Sequence, residues 1–277
     1  VGHQTLENLN AGIDAYNVAV GYDAGAAMST GPYNTIVGAL AGDALTTGDR
    51  NVAIGTSALG TETAYGKNVA IGTNTLTIQN AGADTYNVAV GYNAGLRNVA
   101  IGYEALYTLD AGADAYNVAI GYKAGTAMST GITNTLIGGL AGDALTSGSY
   151  NVAIGYAALS TEDEHGRCVA IGTNALGNQD AGANAYNVAV GYEAGASVST
   201  GPYNTLIGGL AGDAITTGNR NTVLGYNALS TETTGHRSVA IGTGALRLQN
   251  GAATEVYNTA VGYNAGESMT TGVKNTL

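Results

Sequence analysis

The sequence predicts an all-β protein, a parallel β-solenoid or β-roll of about 16 coils. Three observations predict it. A short motif returns along the whole chain, apolar and small side chains alternate within the motif, and 44 glycines among 277 residues recur at fixed places in the unit. A solenoid explains all three, because a repeat of this length is one coil that buries its apolar residues only by stacking on its neighbours.

The repeated unit begins with Asn-Val-Ala-Val-Gly at residues 17–21 and with close variants elsewhere. Successive units start 17 to 20 residues apart, except for one interval of 11. Four unit types alternate, and their intervals of 17, 17, 17 and 19 residues make a super-repeat of 70 that is shortened at residues 87–116. We therefore predict a single repeat domain over residues 1–277, a segment of a longer chain.

The motif itself predicts a strand, since β-branched residues alternate with Ala at a period of two. Each coil has room for two short strands and two turns. We expect Val18 and Val20 to fill the narrow interior and Ala19 to point to the other face. The Gly at the fifth position and the Gly before the next Asn supply turns, and Asn tolerates positive φ as well. At about 4.8 Å per coil the stack would be on the order of 75 Å long.

On a single thin roll, a flat column of outward Ala side chains would be exposed to solvent. Burial of that face against other copies removes it from water, so the sequence favours a homo-oligomer.

The motif also resembles repeats of known fibrous proteins. Asn-Val-Ala-Ile-Gly at residues 51–55 and 151–155 resembles the Asn-Ser-Val-Ala-Ile-Gly repeat of trimeric autotransporter adhesin heads. Residues 258–265, Asn-Thr-Ala-Val-Gly-Tyr-Asn-Ala, resemble repeats of phage tail-fibre proteins. The resemblance covers nearly the whole chain, although these units are longer than those of adhesin heads. It implies a left-handed parallel β-roll in an intertwined or side-by-side homotrimer.

The most regular polar feature is an Asn at the first position of the motif. Stacked Asn side chains can hydrogen-bond along a ladder and to turn backbone, which predicts a structural role. The predicted ladder consists of Asn17, Asn34, Asn51, Asn68, Asn87, Asn98, Asn117, Asn134, Asn151, Asn187, Asn204, Asn221 and Asn258. Cys168 and Ser238 replace Asn in the fourth unit type.

Tyrosines recur directly before the motif and again at its sixth position. A Tyr ring is apolar with a polar hydroxyl, so such columns could contact sugars or pack between chains. The candidate surface contacts are Tyr22, Tyr92, Tyr122, Tyr192 and Tyr263.

Charge and motif content exclude several function classes. The formal net charge is −11 with nine basic residues, which disfavours nucleic acid, and no apolar run approaches the length of a membrane span. The recurring Asp43, Asp143 and Asp213, and also Asp14, Asp84 and Asp114, match no calcium-binding motif. No catalytic constellation is present, and we predict no enzyme, cofactor or metal site.

The repeat predicts a structural fibre or adhesive protein, and its resemblances imply part of a phage tail fibre or bacterial surface adhesin. It would be extracellular, and would contact a host glycan or surface protein through repeated turns. The fourth-type tails, residues 77–86, 107–116, 177–186 and 247–257, form the predicted contact stripe. The alternative is a self-assembling filament subunit with no external receptor.

Overall fold

The computed structural model describes residues 1–10, 14–64, 66–77, 87–92, 94, 98–109, 115–251 and 255–277. The chain forms two compact units, Val1–Lys123 and Ala124–Leu277. Each unit is a stack of parallel strands in chain order, and the described residues contain no helix. The predicted all-β parallel β-solenoid is confirmed. No helix long and apolar enough to cross a membrane occurs in the described ranges.

The described residues form 15 strands, against about 16 predicted coils, and each strand is three residues long. The first unit contains β1 (Val18–Val20), β2 (Thr35–Val37), β3 (Val52–Ile54), β4 (Val69–Ile71), β5 (Val88–Val90), β6 (Val99–Ile101) and β7 (Val118–Ile120). The second unit contains β8 (Thr135–Ile137), β9 (Val152–Ile154), β10 (Val169–Ile171), β11 (Val188–Val190), β12 (Thr205–Ile207), β13 (Thr222–Leu224), β14 (Val239–Ile241) and β15 (Thr259–Val261).

The motif fixes the register of the stack. Within each unit each strand pairs with the next at the same motif position, as Val188 does with Thr205. The register holds even where two motifs are only 11 residues apart, because Val88 still pairs with Val99. A coil can therefore lose residues from its turns without disturbing the sheet.

Over the residues that the structure describes, each coil has one strand where two were expected, and turns and bends make up most of the remainder. Left-handed backbone falls on Tyr186 (φ 54), Glu193 (φ 52) and Gly195 (φ 59) of one coil, and on the equivalent positions of others. The motif asparagines do not have positive φ, contrary to the expectation. Gly31, before Asn34, is not left-handed either. Glycine is required at position 31 because a Cβ there would lie under 3 Å from the Gly48 carbonyl oxygen.

The interior reverses the predicted orientation of the strands. The central Ala53, Ala153 and Ala240 are fully buried, whereas Val18 is 53% exposed and Val20 is 43% exposed. The expectation that Val and Ile fill the interior was wrong. Because the turn opposite the strand supplies large side chains to a narrow interior, a small residue in the strand is what leaves room for them.

The unit types differ in whether the strand or the turn supplies the large side chain of the interior. Third-type coils place Ala153 in the strand and Leu159 in the turn, both fully buried. Second-type coils place Leu136 or Leu206 in the strand and have Gly142 or Gly212 in the turn. Both unit types therefore fill the interior, the third type with a large turn residue and the second type with a large strand residue.

We name the outward side chains at the first and third positions of each strand the strand face. They are Val, Ile, Leu or Thr in every strand, and none is charged. They are half-buried or exposed in both units, with Leu224 45% exposed. The apolar face of this solenoid is therefore branched aliphatic, where the sequence predicted a column of Ala.

Candidate functional site

The asparagine column lies inside the coils. The Asn187 Oδ1 accepts the Asn204 backbone N–H at 2.7 Å, and the Asn204 Oδ1 accepts that of Asn221 at 3.0 Å. The Asn204 Nδ2 donates to the Gly218 carbonyl oxygen at 2.9 Å. Of the thirteen asparagines in the predicted ladder, all but the half-buried Asn17 are buried. This column joins one coil to the next and presents nothing to a ligand.

Where Cys168 and Ser238 replace Asn, a glutamine from the following turn enters the interior. The Gln179 Nε2 donates to the Cys168 Sγ at 3.0 Å, and its Oε1 accepts the Asn187 Nδ2 at 2.7 Å. Gln249 repeats the arrangement with Ser238 and Asn258.

The same glutamines contact Glu162 and Glu232, two of three equivalent glutamates that the sequence did not single out. Glu62, Glu162 and Glu232 are fully buried. The Glu232 Oε1 accepts the backbone N–H groups of Thr233, Thr234 and Gly235, and its Oε2 accepts the Gln249 Nε2 at 3.0 Å. The repeated Thr-Glu pair of the third unit type was the available signal. Because N–H groups donate to each buried carboxylate, these glutamates have a structural role in the interior.

The Cys168 thiol is fully buried. Desolvation raises the pKa of Cys168 above its ordinary value, which keeps the thiol protonated and unreactive.

The tyrosines at the sixth motif position lie on the surface, at the end of each strand. Tyr22, Tyr92, Tyr122, Tyr192 and Tyr263 are 53%, 45%, 54%, 57% and 80% exposed. In the first unit Tyr103 stacks on Tyr92 at 5.7 Å and on Tyr122 at 5.5 Å between ring centroids. The Glu193 carboxylate raises the pKa of Tyr192 by hydrogen bonding to it. Each ring is accessible from solvent.

A second exposed column occupies the position directly before the motif, at the other end of the strands. Sequence reasoning found its tyrosines but missed that cations fill the same position. Seven of the nine basic residues of the chain stand there, namely Arg50, Lys67, Arg97, Arg167, Arg220, Arg237 and Lys274. The position has positive φ in every described case, and all of its tyrosines that the structure describes are exposed.

In the second unit this position holds Thr133 on the first coil and then an unbroken row of Tyr, Arg or Lys on eight consecutive coils. We name this row the Tyr/Arg column, and its members are Tyr150, Arg167, Tyr186, Tyr203, Arg220, Arg237, Tyr257 and Lys274.

Neighbouring members of the Tyr/Arg column contact each other. The Arg167 guanidinium carbon lies 5.6 Å from the ring centroids of both Tyr150 and Tyr186. Tyr186 stacks on Tyr203 at 5.6 Å, and Arg220 lies 5.3 Å from the Tyr203 ring. The Arg167 Nη1 donates to the Tyr186 hydroxyl at 2.6 Å. The result is a row of phenol and guanidinium groups held by stacking and cation–π contacts.

Among the residues that the structure describes, acidic side chains form no comparable column. Burial raises the pKa of Asp43 and Asp213, each with help from a nearby carboxylate. Asp84 and Asp114 lie outside the described residues. Glu162, Asp163 and His165 place ligand atoms within 4.8 Å of one another. Both Glu162 oxygens already accept protein N–H groups, so we assign no metal to this cluster.

The fourth-type tails contribute to the interior as well as the surface. Within residues 177–186, Gln179 is fully buried and Asp180 and Asn184 are exposed. Residues 78–86, 110–114 and 252–254 of the other tails lie outside the described residues.

No protein-family model, no curated protein and no solved structure matches this chain.

Proposed function

We propose that the protein is a structural fibre of the kind found in phage tail fibres and bacterial surface adhesins, acting outside the cell in host attachment. One observation carries the proposal. Within each unit similar coils recur in one register, so that exposed side chains at the same motif position form columns along the stack. Such a stack is suited to two roles. It is stiff along its length, and it repeats the same surface positions on each coil.

Stiffness follows from the bonds between coils. The Gly208 N–H donates to the Val190 carbonyl oxygen at 2.7 Å, and the Thr205 N–H donates to the Asn221 carbonyl oxygen at 2.9 Å. The buried Asn side chains add a second set of bonds between the same coils. Bending would strain both sets together, which favours a shaft-like role.

The strand face supports assembly with other copies of this chain, and the resemblance to trimeric adhesin heads favours three copies. A chain of net charge −11 repels its copies over most of its surface. The strand face has no charged residue and presents Val, Ile, Leu and Thr at coil spacing, so a second copy can match its period. Burial of this face between chains would add thickness and stiffness.

Repeated display favours attachment. A ligand contact at one coil is offered again at neighbouring coils, so that weak contacts combine through high effective concentration.

The first test is the mass of the purified chain by light scattering, combined with binding of fluorescently labelled protein to a panel of bacterial cells. We expect a three-chain mass and saturable binding to some strains. Leu224→Lys on the strand face should lower the mass to that of one chain. Leu248→Lys is the matched control, because Leu248 is 37% exposed and lies away from the strands.

A single-chain mass for the unmodified protein would contradict the oligomer. Long filaments that bind no cells would favour the alternative, a self-assembling filament subunit without a receptor.

A further inference from the structure

The Tyr/Arg column concentrates positive charge on an acidic chain. Arg167 and Arg220 are exposed, and they hydrogen-bond to neutral oxygens, the Tyr186 hydroxyl and the Asn219 Oδ1. Neither is within ion-pair distance of a carboxylate of the described residues, whereas Arg237 pairs with Glu255. The charge of Arg167 and Arg220 is thus available to an external anion.

The spacing of the column favours a linear, repeating ligand. One member stands on each of eight consecutive coils, and parallel strands stack at about 4.8 Å. This step is close to the length that one pyranose ring adds to an extended glycan chain. A ligand lying along the column would meet a donor group on successive rings.

The orientation of the rings identifies the donor groups. Tyr186 and Tyr203 are stacked with an interplanar angle of 9°, so their faces are turned towards each other. Hydroxyl groups and guanidinium N–H groups are therefore the recognition elements, which suits carboxylates and sugar hydroxyls. Nucleobases would need free ring faces, and a net charge of −11 opposes a dense phosphate backbone.

We infer that the Tyr/Arg column of the second unit binds a linear acidic polysaccharide, with Arg167 and Arg220 bonding its carboxylates and the Tyr hydroxyls bonding its sugar oxygens. This inference rests on the proposed function, for which it names the class of receptor.

The test is calorimetric titration of the full chain with oligogalacturonates of increasing length. Oligomeric dextran, sulfated dextran, poly-glutamate and poly-dT serve as comparison ligands. We expect affinity to rise with oligogalacturonate length and to fall with added salt. Neutral dextran should not bind, and poly-glutamate should bind at least tenfold more weakly because it lacks sugar hydroxyls.

Substitutions locate the site. Arg167→Gln and Arg220→Gln should each weaken binding about threefold, and the double variant about tenfold, as expected for exposed charge contacts. Tyr186→Phe and Tyr203→Phe should weaken binding while retaining the ring stack. Lys123→Gln is the matched control, because Lys123 lies outside the column and outside the predicted contact stripe, and pairs with Glu104.

Unchanged affinity in the double arginine variant, or equal affinity for poly-dT, would overturn the inference. Preference for sulfated dextran would retain an acidic glycan and exclude a carboxylate as its charged group. The outcomes separate this inference from the proposed function. Cell binding without oligogalacturonate binding would refute only the inference. Oligogalacturonate binding by long filaments that attach to no cell would refute only the proposed function.

Discussion

The Leu206 side chain occupies the space beside Gly212, where an added Cβ would lie 2.9 Å from the Leu206 Cδ2 and 2.8 Å from the Ile215 Cδ1. Gly212 also has left-handed backbone, at φ 56. In other coils a left-handed Leu occupies the equivalent position, as Leu229 does with φ 50. The exclusion of a side chain at Gly212 therefore comes from the volume of the strand residue as well as from backbone conformation.

Gly212→Ala should destabilise the protein more than Gly182→Ala. Gly182 has a similar φ of 62, but a Cβ there meets nothing within 4 Å. Both variants bear the cost of a left-handed Ala, about 1 kcal/mol, and only Gly212→Ala adds overpacking of about 1–3 kcal/mol. Urea unfolding of the two variants measures the difference, and equal midpoints would show that the contact is not tight.

Asn204→Ala should cost about 2–4 kcal/mol of folding free energy, because it leaves the buried Asn221 N–H and Gly218 carbonyl without the Asn204 side chain. Asn178→Ala, at an exposed position of a tail, should cost under about 0.5 kcal/mol. Thermal unfolding by circular dichroism compares the two. Similar melting temperatures would argue against an energetic role for the asparagine ladder.

Glu162→Gln tests whether the buried glutamates stabilise the fold. Glu162 accepts the His165 N–H at 3.1 Å through Oε1 and the Gln179 Nε2 at 3.2 Å through Oε2. A glutamine has only one acceptor oxygen, so its NH2 group would face another N–H donor. We expect this to cost about 1–3 kcal/mol of folding free energy. Glu164→Gln, two residues later and exposed, is the control. A Glu162→Gln variant as stable as Glu164→Gln would mean that the network rearranges freely.

Cys168 gives a pH-dependent prediction. Because burial raises the pKa of Cys168 in the folded state, the folded protein holds the thiol proton after the unfolded chain has lost it. This contribution to stability is complete below the ordinary thiol pKa and is lost as pH rises through the raised value. Cys168→Ser should fold, as the equivalent Ser238 does, and should lose less stability between about pH 8 and 10 than the unmodified protein.

Alkylation by iodoacetamide supplies an independent readout of the same thiol. Modification at pH 8 should be slow in the folded protein and fast in urea. Rapid alkylation of the folded protein would show that Cys168 is accessible.

The repeat determined the fold because each motif position recurs in one place on every coil. Asn51 and Ala53 alone predict a strand that stacks on its copies, and the register follows from the period. The inward direction of Ala53 could not be predicted from alternation, since a period of two defines two faces without saying which is buried. That choice depends on Leu59, which fills the interior from a left-handed turn that leucine rarely adopts.

Surface columns were predictable in part. Tyrosines at a fixed position predict an aromatic column, and the same alignment of units would have shown Arg167 and Arg220 in it. The repeated Thr-Glu pair marks Glu162 as a recurring residue, but its burial could not be predicted. That burial depends on Gln179 of the following coil and on turn N–H groups whose direction the sequence does not give.

Electron microscopy of the purified protein tests the central claim, a stiff structural fibre, most directly. The account predicts discrete straight rods, because each unit stacks its coils in one register. Filaments of unlimited length would contradict it and make self-assembly the function. Flexible or compact particles would also contradict it, because stacked coils could then not act as a shaft.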